Sequence, residues 1–177
     1  EIVLAPGAEP AVDPNLVLRV AVAAAEFGLP IAPGTLRNLK KCPIGDRNWT
    51  DESRELFIRL LASGPALLNV WEDIDFIDVP GKLIPEWLGV RNRPSASAAH
   101  RYTIDRHMVE VVTRLGRETP SGGRYDDRHY EALLLAGILH DIGKRPGVAN
   151  HPAEGARHAT VVVERTGFDR DIVRRVT

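Results

Sequence analysis

The stretch LLLAGILHDIGK, Leu133 to Lys144, constrains this chain more than any other. Read back to Asp126, it is a helix that becomes apolar on nearly every side in its second half, which marks it as central to a packed core. It nonetheless ends by delivering a histidine and an aspartate side by side, His140 and Asp141. Burying an unpaired carboxylate is costly, so Asp141 needs a partner. The identity of that partner governs the chemistry of the chain.

The surrounding sequence is written almost entirely in helical periods. VDPNLVLRVAVAAAEFG places Asp13 as an N-cap, Pro14 at the first helical position and Gly28 as the stop. A short helix follows near Thr35–Lys41. WTDESRELFIRLLASG carries acidic residues in its first turn, where they suit the helix dipole, with Leu56 and Leu60 one turn apart. Pro65 then opens a helix with Leu67, Val70, Trp71 and Ile74 on one face. From Val79 to Ala99 proline, glycine and serine break the pattern, which predicts a long irregular crossing. Ile104, Met108, Val111, Val112 and Leu115 restore a helical stripe. The last two helices start at Pro152, with Gly167 beyond the end, and at Asp169. No stretch alternates convincingly as a strand does. The fold class expected is all-α.

At 177 residues the chain can bury a real core as one domain with an extension. Acidic and basic residues nearly cancel, 24 against 23, so net charge favours neither a nucleic acid nor a membrane as partner. The single cysteine, Cys42, rules out an internal disulfide and fits a reducing cytoplasm. The longest apolar run is interrupted by Arg19 and Glu26 and is too short to span a bilayer. The chain opens without methionine or a basic leader and ends within a helix at Thr177, so it reads as a piece of a longer protein.

Four residues are candidates for holding a metal. His140 and Asp141 end the most apolar helix, where the dipole disfavours an acid; a divalent cation would satisfy both, whereas a satisfied core histidine beside a capping aspartate is the plainer alternative. His107 lies three residues after Ile104 and four before Val111, on the inward face of its helix. A lone histidine there is more often a core residue, yet here a second buried helix supplies another histidine and an acid. His151 precedes Pro152 where an N-cap belongs, a place Ser, Thr, Asp or Asn fills better, so it is either a poor cap or a ligand. His100, His129 and His158 carry less weight. Arg91, Arg93, Arg101, Arg106, Lys144 and Arg145 gather around this cluster in sequence. Most such residues form a solvated face; Lys144, just after the pair and past a turn at Gly143, is the cation placed to meet an anionic substrate such as a phosphate. There is no phosphate-cradling glycine loop and no serine nucleophile elbow.

The segments DRHMVEVV, LHDIGK and NHPAEGA resemble the HD superfamily of metal-dependent phosphohydrolases. That resemblance implies a helical HD bundle in which His107, His140 and Asp141 match the first three ligand positions and His151 an added histidine. It also implies one or two divalent ions, magnesium or manganese first, with iron or zinc as alternatives. HRYTIDRHMVE, with the preceding VWEDIDFIDVPGKLIPEWLGVRNRP, more closely resembles the bacterial PII uridylyltransferase/uridylyl-removing enzymes in their actinobacterial form. The resemblance divides the chain into a helical linker region over 1–80 and an HD domain over 81–177, truncated at its C-terminal end. The family's later histidine-bearing helix and closing aspartate would lie past Thr177, and its transferase and glutamine-sensing ACT domains outside the chain.

The activity so implied is hydrolysis of the phosphodiester that joins UMP, or AMP in some actinobacteria, to a tyrosine of the PII signal protein. Asp141 and Lys144 would be the catalytic residues. Two other readings stay open: a different HD-type nucleotide phosphodiesterase, or an inert HD spacer that docks PII.

Overall fold

A computed structural model of the chain describes residues 1–44, 49–94, 102–116 and 126–177. Among these it contains nine α-helices, one 3-10 helix and no β-strand, as an all-α chain requires. The helices are α1 (Leu16–Phe27), α2 (Pro33–Leu39), α3 (Asp51–Leu61), α4 (Ala66–Phe76), α5 (Val79–Leu83), α6 (Ile104–Leu115), α7 (Asp127–Leu139), α8 (His151–Arg165) and α9 (Arg170–Val176). The 3-10 turn Pro85–Gly89 follows α5.

Local chemistry accounts for most of the boundaries. α1 ends where Gly28 takes a left-handed conformation, φ 61°, that a side chain would disfavour. α3 begins with a reciprocal cap: Ser53 N donates to Thr50 Oγ1 at 3.2 Å and Thr50 N donates to Ser53 Oγ at 3.1 Å. α4 buries Leu67, Val70, Trp71 and Ile74, the four residues its spacing singles out. α9 starts on Asp169, whose carboxylate accepts from the backbone N–H groups of Asp171 and Ile172.

Three expectations are corrected. The N-cap of α1 is Asn15, not Asp13, and Pro14 precedes the helix. The Asn15 side chain is committed to Glu52 at 2.6 Å and to Ser53 at 3.0 Å, so it ties α1 to α3 rather than capping its own helix. The second helix starts at Pro33, two residues earlier than its periodicity indicates, because proline is well placed in a first turn that has no use for its missing N–H. The stretch from Val79 is not wholly irregular: Pro80 and Pro85 each open a short helical turn, and Val79, Leu83, Ile84 and Trp87 are buried. Residues 95–99 of that crossing lie outside the described residues.

One continuous core runs from Val17 to Ile172, across the division near residue 80 that the sequence suggests. α7 lies at its centre, packed on α3, α6, α8 and α9. Gly137 lies where α6 packs on α7. A Cβ there would sit 2.8 Å from Leu115 Cδ1 and 3.1 Å from Val112 Cγ2, so a larger residue would force those side chains of α6 to shift. That contact brings the His107 helix to the His140 helix. No helix of the described residues is long and apolar enough to cross a membrane.

Candidate metal centre

α7 stops at Leu139, with His140 as its C-cap and Asp141 in the turn beyond. The last carbonyls of a helix lack intrahelical donors. His140 satisfies one of them, because its Nδ1 lies 2.8 Å from Gly137 O. A carbonyl oxygen only accepts, so Nδ1 carries the proton and, in a neutral ring, Nε2 keeps its lone pair for another partner. A backbone carbonyl commonly orients a metal-binding imidazole in this way. The negative end of the α7 dipole further favours a cation at this position.

From α6, His107 comes edge-on to His140, with ring centroids 5.2 Å apart at 74°. Both Nε2 atoms face one carboxylate oxygen, Asp141 Oδ2, at 3.9 Å from His107 and 3.5 Å from His140. One donor atom from each of the three residues lies within 4.8 Å of the other two. Nitrogen and carboxylate donors held about 2.0–2.2 Å from one small divalent ion lie at most about 4.4 Å apart. The two carboxylate distances fit a shared ion as they stand. Asp141 itself is sheltered, with 13% of its side chain exposed.

The electrostatics agree with the geometry. Burial pushes the Asp141 carboxyl up, but hydrogen bonds from His140 and Lys144 and their positive charge outweigh it and hold the group at about 2. The same contact with Asp141 raises the His140 imidazole against the opposing effect of its burial. Lys144 reaches back to donate to Asp141 Oδ2 at 2.8 Å. The site is therefore an anchored carboxylate with three cationic or potentially cationic neighbours.

The other candidates fall elsewhere. His151 is not at the cap: Asn150 holds that position and accepts from Ala153 N at 3.2 Å, as an amide oxygen does better than an imidazole, and His151 is the first residue of α8. Its Nδ1 donates to Gly143 O at 3.3 Å, so it lies beside the turn that carries Asp141 but outside the convergent three. His158 is buried between Glu154 at 2.8 Å and Arg157 at 3.1 Å, and its burial lowers its pKa. His129 pairs with Asp126 at the start of α7. His100 and Arg101 lie outside the described residues. Of the basic residues that gather in sequence, Arg91 pairs with Asp75 and Asp78, Arg93 donates to Gly89 O, Arg106 pairs with Glu72 and Glu110, and Arg145 donates to Glu86 O. Among the described residues of that group, Lys144 alone pairs with a residue of the centre.

Gly143 is required for a reason the sequence does not display. Its φ is not positive; a Cβ on it would instead overlap the backbone of Gly155 and His151, lying 2.7 Å from Gly155 Cα. Two glycines in contact thus seat α8 against the turn after α7. Gly137, which supplies both the α6 contact and the carbonyl that orients His140, is the site residue that sequence reasoning missed. Its position three before His140 was the available signal.

Against known proteins, the chain is similar to one stretch of several large bacterial enzymes. The bifunctional uridylyltransferase/uridylyl-removing enzyme of Streptomyces coelicolor is 40% identical over 172 residues, 96% of this chain and 20% of that protein. The enzyme of the same name from Mycobacterium tuberculosis is 38% identical over 178 residues, 100% of this chain and 21% of its own length. That of Corynebacterium glutamicum is 32% identical over 160 residues, 89% of this chain and 22% of its own length. The homologues of this chain are bifunctional uridylyltransferase/uridylyl-removing enzymes. The chain spans about a fifth of the length of these curated relatives. No family model and no solved structure matches it.

Proposed function

We propose that this chain contains the HD phosphohydrolase unit, over 81–177 after a helical linker region over 1–80, of an enzyme that removes UMP or AMP from a tyrosine of a PII signal protein in nitrogen regulation. The observation that carries the reading is the convergence of His107, His140 and Asp141, in a chain whose relatives bear the words uridylyl-removing in their name. Those three residues would hold a divalent ion, magnesium or manganese, and His151 stands next to them for a second. A bound ion of this kind acidifies a water from a pKa near 16 towards about 7 and draws charge from phosphoryl oxygens.

The chain's own groups do the rest. His140 keeps Nε2 aimed inward through its bond to Gly137 O, and Asp141 stays ionised far below neutral pH. Lys144 exchanges its bond to Asp141 for a non-bridging phosphoryl oxygen, where its charge counts most as negative charge builds in the transition state. Water adds to phosphorus, the bond from phosphorus to the tyrosine oxygen breaks, and the products are the nucleoside monophosphate and free tyrosine. Tyrosinate, with an ordinary pKa of about 10, leaves without a strong general acid. The reaction would take place in the cytoplasm.

The test is Asp141→Asn in the full-length enzyme, assayed for attachment and removal of the nucleotide on PII. Removal should collapse while attachment survives; retained removal would contradict the assignment. One observation favours a second reading. Lys144 already neutralises Asp141 at 2.8 Å, so the cluster can satisfy itself without a metal and serve as an inert spacer. That reading predicts no change in thermal stability on adding Mn²⁺.

A further inference from the structure

Lys144 stands between two residues that other parts of the chain hold in place. On one side, the backbone of Gly143 presses on Gly155 and His151 of α8. On the other, Arg145 turns back to the 3-10 turn Pro85–Gly89. Its Nε donates to Ile142 O at 3.3 Å, and a terminal nitrogen donates to Glu86 O. Gly89 leaves room for this: a Cβ there would sit 2.6 Å from Arg145 Nε and 2.8 Å from a terminal nitrogen. The guanidinium occupies the space in which any larger side chain at residue 89 would begin. One arginine thus ties the turn that carries Asp141 and Lys144 to a segment far away in sequence.

That segment is a firm anchor. Trp87, in the middle of the 3-10 turn, is 1% exposed and meets Trp71 of α4 edge-on, with ring centroids 5.3 Å apart. Glu86 is gripped at both ends, its carbonyl by Arg145 and its carboxylate by Arg165, the last residue of α8, through two bonds of 2.6 Å. A bidentate pair of this kind fixes orientation as well as charge. Burial pushes the Glu86 carboxyl up, but the bonds from Arg165 outweigh it and keep the group below its usual range.

Arg145 does not serve a metal centre by attraction, because a nearby positive charge repels a divalent ion. What it supplies is geometry. Lys144 N donates to Asp141 O at 3.0 Å and Arg145 N to Gly143 O at 2.8 Å, so the peptide groups from 141 to 145 form one tight turn. A shift of residue 145 is passed to the backbone from which Asp141 projects.

We propose that Arg145 is a positioning residue for the metal centre: by clasping the Pro85–Gly89 turn it holds the turn after α7 in place, and with it the carboxylate oxygen that both imidazoles face. This rests on the reading of His107, His140 and Asp141 as metal ligands. It makes the segment before α6, which contributes none of the three donors, a determinant of metal affinity.

Two measurements on this chain test it. In chelator, amide hydrogen exchange followed by NMR compares the wild type with Arg145→Met, which keeps the reach of the side chain but not its donors. Exchange at Ile142 and Lys144 should quicken about fivefold, the scale of one hydrogen bond, while Leu135 in α7 and Val162 in α8 stay unchanged. Calorimetry should show Mn²⁺ affinity falling about tenfold or more, the usual effect of losing a group that orients a ligand. Loss of a nearby positive charge alone would act in the opposite direction. Arg145→Lys, which keeps the charge and a donor, should fall between the two. Gly89→Ala, which leaves the arginine but displaces its guanidinium, should also weaken Mn²⁺ binding. Unchanged or tighter Mn²⁺ binding by Arg145→Met, or exchange that quickens equally at Leu135 and Val162, would overturn this proposal alone. A wild-type chain that binds no Mn²⁺ would instead remove the metal centre, and the role of Arg145 with it.

Discussion

The ring of His107 on α6 stands edge-on to the ring of His140 at the end of α7, 5.2 Å away, and both Nε2 atoms face the same oxygen of Asp141. Two helices far apart in sequence place three donor atoms within 4.8 Å of one another. Four predictions follow from how that arrangement is built.

The first concerns pH in the metal-free protein. The His140 pKa lies above its ordinary 6.5, chiefly because its ring bonds Asp141, so this contribution to stability is complete below pH 6.5 and is lost as pH rises through the raised value. Asp141 acts in the opposite sense. Its pKa falls from 3.8 to about 2, so its contribution is present above pH 3.8 and is lost as pH falls through about 2. In chelator, the midpoint of thermal unfolding should therefore decline as pH rises above 6.5, and His140→Gln should flatten that decline. Metal binding needs the neutral ring, so the extra stability conferred by Mn²⁺ should grow over the same range.

Lys144 is expected to serve turnover more than metal retention. Lys144→Met in the full-length enzyme should lower kcat for nucleotide removal by roughly 10²–10³-fold, the scale of losing one electrostatic donor to a transition state. Calorimetry should show Mn²⁺ affinity changing far less. Equal losses in both would make Lys144 a support for the ligands instead.

The paired glycines differ in what they tolerate. Gly143→Ala drives a methyl group into the backbone of α8 and should cost about 1–3 kcal/mol in denaturant unfolding. Gly155→Ala places its Cβ 3.7 Å from Gly143 N, an ordinary contact, and should be neutral or gain up to about 1 kcal/mol from helix propensity. The reverse ranking would show that α8 is seated by something else.

Asn150→Ala should remove the cap of α8 and cost about 1 kcal/mol, seen as a lower unfolding midpoint. His151→Ala, with the cap intact, should cost much less.

Much of this was legible in the residues. The stripe of α4, the burial of Ile104, Met108 and Val112 on α6, the saturation of α7 with apolar side chains and the stops at Gly28 and Gly167 follow from local periodicity and backbone freedom, which a sequence displays directly; on α6 the core takes Val109, while Val111 and Leu115 stay partly exposed. The pairing of His107 with His140–Asp141 was also readable, although the two rings are 31% and 35% exposed rather than turned into the core as their helices suggest. What was hidden depends on partners distant in sequence. Asn15 leaves the capping of its own helix to bind Glu52 and Ser53. Gly137 and Gly143 matter because α6 and α8 press against them. Arg91, Arg106 and Arg145 look like a cluster in sequence but are drawn off by Asp75, Glu72 and the carbonyl of Glu86. The prolines of the crossing read as breakers, although at first-turn positions they begin short helices.

The most direct measurement is X-ray diffraction from crystals of this chain soaked in Mn²⁺, with data collected to reveal anomalous scattering by manganese. The account predicts a peak between the Nε2 atoms of His107 and His140 and Oδ2 of Asp141, with Lys144 drawn off that oxygen. A map with no peak there, or with the only peak on surface carboxylates and the Lys144–Asp141 bond unchanged, would contradict it.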